Sequence, residues 1–399
     1  MKMNGNFRHN GVILLSGEDQ PGVTEKLFSI LEPFNIEIQD VEQVIIRGRL
    51  ILTLQIGFDK DHGGAIAQDL EESFKSTNLD LAMDFSSVAS EIKKENSYNL
   101  VLLSRELKPR AIAAIARVIS KYKGNIENIR RTATQPVTAI EFEISFNIEN
   151  QFVELRQELA ELAFKENFDV AIQEASIVKR AKRIVLLDMD STLIQEEVID
   201  LLAGKVGVGS QVSQITERAM RGEIDFSTSL RERVALLRGA PQSIITEVAS
   251  QINLTPGART LIATLHKLGH KVGVVSGGFL NVIEPLLIEL EIDFYKANFL
   301  KIQDGVLTGE LEGDIIDRKA KGEALKEFAD KEKVDLKQTI AIGDGANDLA
   351  MIELAGLGIA FNAKPAVRAA ADTSISNPFL DSVLYLIGVS RTEIEALLN

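Results

Sequence analysis

The segment "RIVLLDMDST" constrains this chain more than any other: four consecutive apolar residues run directly into Asp188 and, two positions on, Asp190. A short run that is apolar at every position is the pattern of a strand buried on both faces, which occurs in parallel sheets covered by helices. "KVGVVS" and "TIAIGD" repeat the pattern and end at Ser276 and Asp344. Helix-forming segments alternate with these runs, so the expected fold is an α/β, doubly wound, Rossmann-like parallel sheet from residue 182 to the C-terminus. The stretch from about 196 to 251, rich in charge and helix formers, is too long for a simple crossover and is expected to form a small helical cap.

Ligands of such sheets bind outside the carboxyl ends of the strands. Asp188 and Asp190 lie two apart on an extended segment and therefore share a face. Glycines follow the other two strand ends in "SGGF" and "GDGAND", giving tight turns with free amides suited to an anion. Three carboxylates brought together repel one another unless a hard cation joins them. Oxygen-only ligands with positions open to water suit Mg²⁺, expected on Asp188, Asp344 and the backbone carbonyl of Asp190.

Composition narrows the partners. The 399 residues exceed one ordinary core and imply two or three domains. With no cysteine, disulfides and thiol chemistry are excluded, and the four histidines lack metal-ligand spacing. A net charge of −14 repels nucleic acid and anionic membrane, so neither is expected as a partner, and an anionic substrate has to be attracted locally. No apolar window is long enough to cross a bilayer and the first residues carry no apolar signal core, so a cytoplasmic location is expected.

The N-terminal half holds a repeat. "GVILLSGEDQPGVTEKLFSIL" aligns with "NLVLLSRELKPRAIAAIARVI", and each is followed by an alternating strand pair, a helix-period segment and a last short strand. Each unit reads as a ferredoxin-like βαββαβ module, at 1–90 and 97–178, with "SEIKKENS" as a polar linker. The pair resembles tandem ACT domains, small modules that often bind amino acids. "GEDQPGV" carries that family's strand-to-helix turn, so the resemblance implies Gly17 and Gly22 at an effector site, with serine or another amino acid as ligand. The second unit has "RELKPRA" there and lacks both glycines. Dimerisation into a homodimer is the other role expected of these modules.

The C-terminal half resembles the haloacid dehalogenase superfamily of phosphotransferases: "DMDST", "SGG", "AKGE" and "GDGAND" match its four motifs in order. The resemblance implies that Asp188 attacks phosphorus to form an aspartyl-phosphate and that Asp190 serves as general acid and base. It also implies that Ser276, Gly277 and Gly278 hold phosphate oxygens, that Lys321 neutralises phosphoryl charge, and that Asn347 and Asp348 position these groups. In the cap, Glu197, Met220, Phe226 and Arg233 follow the pattern of the phosphoserine phosphatase family, where matching residues take the substrate ammonium, form its wall and take its carboxylate. The expectation is Mg²⁺-dependent hydrolysis of O-phosphoserine to serine and phosphate. Alternatives are another small phosphoester, such as phosphohomoserine or a phosphothreonine, and an amino-acid sensor whose phosphatase half is scaffold. Taken singly, Asp190 reads equally as a helix cap, and Glu197 and Arg233 as solvated helix charges.

Overall fold

The computed structural model describes residues 9–85, 96–146, 151–175 and 184–398. Residues 90–95 of the expected linker, and the expected boundaries at 178 and 182, lie outside them. The chain divides into two compact units, Met1–Lys94 and Glu95–Asn399.

In the first unit, β1 (His9–Glu18), β2 (Ile36–Ile46), β3 (Arg49–Phe58) and β4 (Leu79–Asp84) form an antiparallel sheet in the order β2-β3-β1-β4. Alternation supplies the core. Ile13 and Leu15 of β1 and Leu50, Leu52, Leu54 and Ile56 of β3 turn to one side and bury against Leu27, Leu31, Ile66, Leu70 and Phe74 of helices Val23–Leu31 and Gly63–Phe74.

The second unit opens with the same arrangement: β5 (Asn96–Ser104), β6 (Asn125–Ala133), β7 (Thr138–Phe146) and β8 (Asp169–Glu174) in the order β6-β7-β5-β8. Helices Pro109–Lys121 and Phe152–Glu166 cover one face through Ile115, Ile119, Leu155 and Leu159. The other face is apolar as well. Val101, Leu103, Ala133, Ala139 and Ala171 join one core with Leu380, Leu384 and Tyr385 of the C-terminal part.

That C-terminal part is built on a seven-stranded sheet: β9 (Ile184–Leu187), β10 (Lys271–Phe279), β11 (Phe294–Gln303), β12 (Val306–Glu312), β13 (Thr339–Gly343), β14 (Leu357–Phe361) and β15 (Thr373–Ile375). Their order is β12-β11-β10-β9-β13-β14-β15, parallel except for β12. β12 folds back on β11 through Asp304 and Gly305, both at positive φ (51° and 77°), as a two-residue hairpin requires. Alternate residues of the central strands enter separate cores. Val185, Leu187, Val272 and Ile342 face one side; Ile184, Leu186, Ala341 and Ala360 face the other. β9 sits at the centre with β10 on one side and β13 on the other, so strand order reverses there and a crevice opens beyond its carboxyl end.

Helices Val198–Val206, Gly209–Met220, Phe226–Ala235 and Ser243–Ala249 fill the stretch after β9. A narrow neck joins them to the sheet: Ile194 bridges Leu254, and the Thr255 amide donates to the Leu193 carbonyl at 3.0 Å. Among the described residues no helix is long and apolar enough to cross a membrane.

Candidate active site at the central strand ends

The chain turns sharply after β9. Asp188 is extended, its Oδ1 accepts the Met189 amide at 2.7 Å, and Ser191 takes a positive φ of 56° before the chain enters the neck. This brings Asp190 back over the end of β10. A Cβ added to Gly278 would lie 2.8 Å from Asp190 Oδ2 and 3.0 Å from Ser276 Oγ, so the site has no room for a side chain there. Ser276 is fully buried and its Oγ accepts the Gly278 amide at 2.8 Å.

Lys321 reaches the same point from helix Arg318–Glu332 and is 0% exposed. Its Nζ lies 2.6 Å from Asp188 Oδ1 and 2.6 Å from Asp348 Oδ1. Lys319, two positions earlier on the same helix, pairs instead with Glu323 on the surface. Asp348 is also fully buried, and its Oδ2 accepts the Gly345 amide at 2.9 Å. Asp344 accepts the Thr192 hydroxyl at 3.2 Å, and Asn347 is half-buried on the same loop.

Four carboxylates therefore crowd one ammonium. Burial, then Asp348, hold Asp188 well above the usual carboxylate range despite Lys321. Burial and Glu197 raise Asp190 to about 8, and burial, Asp348 and Glu197 raise Asp344 to about 7. Burial alone would lower Lys321; the carboxylates of Asp188 and Asp348 outweigh it and raise it. Carboxylates whose pKa is raised in this way lack compensating positive charge, and one buried oxygen, Asp190 Oδ1, has no hydrogen-bond partner among the described residues. Ligand oxygens of Asp188, Asp344 and Asp348 lie within 4.8 Å of one another. An all-oxygen anionic set of this size fits a hard divalent cation.

The cap residues are placed less uniformly. Glu197 Oε1 accepts the Ser191 hydroxyl at 2.7 Å. Arg233 is half-buried, its Nε donates to the Ser229 carbonyl at 3.3 Å, and it faces Glu197, Asp200 and Asp190. Burial lowers its pKa, offset in part by those three acids. The Phe226 ring stands 3.0 Å from where a Gly277 Cβ would be. Met220 is 65% exposed at the end of its helix, with its Sδ 4.0 Å from Lys364 Nζ. Thus Glu197, Phe226 and Arg233 gather near the strand ends, while Met220 stays outside them.

In the first unit, Gly22 lies at φ 91° and caps helix Val23–Leu31 beside a cavity of about 270 Å³ lined by Asp19, Thr24 and Gln43. Gly17 lies within β1, where a Cβ would meet the Asn78 carbonyl at 2.7 Å.

Two contributors were not singled out as site residues by the sequence. Asn298, 2% exposed on β11, donates to the Gly277 carbonyl at 2.8 Å and accepts the Ile316 amide at 2.8 Å. It ties the glycine turn to the segment that leads into the Lys321 helix. Thr192 is the other: its carbonyl accepts Thr255 Oγ1 at 2.7 Å while its hydroxyl holds Asp344. Thr192 closes the DMDST segment, whereas the only sequence signal for Asn298 was a polar residue within a strand-like stretch.

Comparison with known proteins agrees with this fold. Residues 185–353 match the family model of haloacid dehalogenase-like hydrolases, and 10–86 and 96–173 each match an ACT domain. The chain is 46% identical over 387 residues to phosphoserine phosphatase SerB2 of Mycobacterium tuberculosis, covering 96% of this chain and 94% of that one. It is 44% identical over 389 residues to a phosphoserine phosphatase of Streptomyces coelicolor, covering 96% and 93%. A crystal structure of a HAD-family hydrolase from Salmonella enterica serovar Typhi superposes with a TM-score of 0.65 at 29% identity, over 73% of this chain and 99% of that one. The chain belongs to the phosphoserine phosphatase family of haloacid dehalogenase-like hydrolases and carries two ACT domains ahead of its hydrolase segment.

Proposed function

We propose that the chain hydrolyses O-phospho-L-serine to L-serine and phosphate with Asp188 as the phosphoryl acceptor. The observation that carries this reading is the buried Lys321 bound to Asp188 and Asp348 at the end of β9, with Ser276 and the Gly277–Gly278 turn opposite.

Both protein donors to Asp188, the Met189 amide and Lys321, take Oδ1. Among the described residues Oδ2 has no donor, and a carboxylate oxygen free of donors is the better nucleophile. Attack forms an aspartyl-phosphate and breaks the P–O bond to serine, whose oxygen takes the Asp190 proton. Burial keeps Asp190 protonated near neutrality, as a general acid needs. Asp190 then takes a proton from water as the water attacks phosphorus, freeing Asp188 and phosphate. Lys321, the Ser276 hydroxyl and the Gly277 amide hold the phosphoryl oxygens throughout, with the Gly278 amide orienting Ser276 Oγ.

Asp188, Asp344 and the backbone carbonyl of Asp190 would hold Mg²⁺, with Asp348 close enough to join or orient the set. The ion would neutralise phosphoryl charge and orient the ester. Glu197 would take the ammonium and Arg233 the carboxylate of the substrate, with Phe226 as the wall and Met220 as its outer edge.

Gly22 supports an amino-acid effector such as serine at the first unit, with Gly17 shaping the turn. The edge strand β2 exposes Ile38, Val41, Ile45 and Ile46 to half or more of their surface, which supports pairing into a homodimer. Phosphate release from a panel of phosphomonoesters tests the substrate: O-phosphoserine is expected to lead, and preference for a sugar phosphate or nucleotide would overturn the assignment.

A further inference from the structure

Strand β14 runs parallel to β13 with Ala360 opposite Gly343, so the residues that follow Phe361 emerge at the same edge of the sheet as Asp344. The segment from Asn362 to Lys364 is held there by its backbone. Asn362 takes a positive φ of 45°, its amide donates to the Ile375 carbonyl at 2.8 Å, and its Nδ2 donates to the Asn377 carbonyl at 3.3 Å. The Lys364 carbonyl accepts the Val367 and Arg368 amides at 3.0 and 3.1 Å. The main chain is fixed, and the Lys364 side chain is exposed.

That side chain reaches the cap. Lys364 Nζ lies 4.0 Å from Sδ of Met220, the last residue of helix Gly209–Met220. The cap is thus joined to the sheet at the neck, where Ile194 bridges Leu254, and meets it again at Lys364. These contacts follow different strands, β9 and β14, and β13, which leads to Asp344, lies between them in the sheet.

Charge distinguishes Lys364 from the other cations of the site and the cap. Lys321 is bound by Asp188 and Asp348, and Arg233 faces Glu197, Asp200 and Asp190. Arg218 and Arg221, which flank Met220 in the chain, pair with Glu217, Glu223 and Glu232. Lys364 has no ion-pair partner among the described residues, and the thioether that its ammonium meets is uncharged. On a chain of net charge −14, such a cation beside the site is free to attract an anion from solution. A phosphate monoester, with about two negative charges at neutral pH, is an anion of that kind.

We propose that Lys364 is the electrostatic guide of the active site: it draws phosphomonoester dianions into the crevice beneath the cap and promotes their capture, without taking part in phosphoryl transfer. Charges at the rim of a site act on encounter and on its salt dependence. The inference rests on the phosphatase reading, and it holds whichever alcohol the phosphate is esterified to. Screening by salt weakens the pull of an exposed ammonium, whereas it leaves a packing contact with Met220 unchanged.

The test is a charge series on the full chain, Lys364→Arg, Lys364→Met and Lys364→Glu, at constant Mg²⁺. For each, kcat and KM are measured with O-phosphoserine and with p-nitrophenyl phosphate at low and high KCl. Methionine keeps an unbranched stem against Met220 and removes the charge. At about 0.02 M salt, kcat/KM is expected to fall about fivefold in Lys364→Met and about twentyfold in Lys364→Glu. Lys364→Arg is expected to match the parent chain, and kcat to stay within about twofold throughout. At about 0.5 M salt the four proteins are expected to converge. Lys364→Met and Lys364→Glu that match the parent at low salt would overturn the proposal, as would losses that persist at high salt or fall on kcat. A parent chain that releases phosphate from neither ester defeats the phosphatase reading, whereas an active parent with a flat series defeats this inference alone.

Discussion

Lys321 Nζ lies 2.6 Å from Asp188 Oδ1, and both side chains are cut off from solvent. The ammonium does two jobs at once: it opposes the burial and the neighbouring carboxylates that raise the pKa of the proposed nucleophile, and it supplies the charge that the phosphoryl group meets. Replacing Lys321 with methionine leaves Asp188 and Asp348 buried without compensation. Loss of a buried ion-pair partner costs about 3–5 kcal/mol of stability, and turnover is expected to fall by about 10²–10³. Urea unfolding and phosphate release on Lys321→Met check both; unchanged stability would mean that the carboxylates are not charged in the folded chain.

Divalent cation binding follows from the crowding of Asp188, Asp344 and Asp348. Mg²⁺ at a hundred times its dissociation constant is expected to stabilise the fold by about 2.7 kcal/mol, read as a rise in Tm over an EDTA-treated sample. Asp344→Asn is expected to abolish most of that rise. An equal rise in the variant would place the ion elsewhere.

Arg233 separates recognition from chemistry. Arg233→Ala is expected to lower kcat/KM for O-phosphoserine by about a hundredfold, because a buried charged contact to the substrate carboxylate is lost. Hydrolysis of p-nitrophenyl phosphate, which has no carboxylate, is expected to change little. Equal losses on the two substrates would make Arg233 structural.

Asn298 positions rather than reacts. Asn298→Asp keeps the acceptor for the Ile316 amide but loses the donor to the Gly277 carbonyl. Its stability cost is expected to be about 1–3 kcal/mol, with a fall in kcat and weaker inhibition by inorganic phosphate. A stability loss with kcat and phosphate inhibition unaltered would limit Asn298 to packing.

Asp169 gives the chain a pH dependence of defined sign. Burial raises its pKa in the folded chain. Its contribution to stability is therefore full below the unfolded value of about 3.9 and is lost as pH rises through the folded one. Asp169→Asn is expected to remove that loss, so parent and variant diverge in urea unfolding between pH 4 and neutrality, with the variant gaining. Parallel profiles would show that Asp169 is solvated.

The sequence made visible what depends on local pattern. Apolar runs ending in Asp188, Ser276 and Asp344 located three central strands and their common edge, and period-two alternation located both four-stranded modules. It was silent where position depends on distant chain. Asn298 acts across a sheet edge, the β11–β12 hairpin lies beyond the parallel pattern, and Asp169 meets Ser376 over a separation of 207 residues. The choice between Lys319 and Lys321 likewise rested on which face of one helix turns inward. Spacing in "RKAKGE" does not reveal that, whereas burial does.

Acid-quenched turnover of O-phosphoserine, followed by peptide mass spectrometry, tests the central claim most directly. The account predicts one phosphoryl group, labile to hydroxylamine, on the peptide containing Asp188, and its disappearance together with activity in Asp188→Asn. Phosphate release that continues in Asp188→Asn, or a phosphoryl group mapped to any other residue, would contradict it.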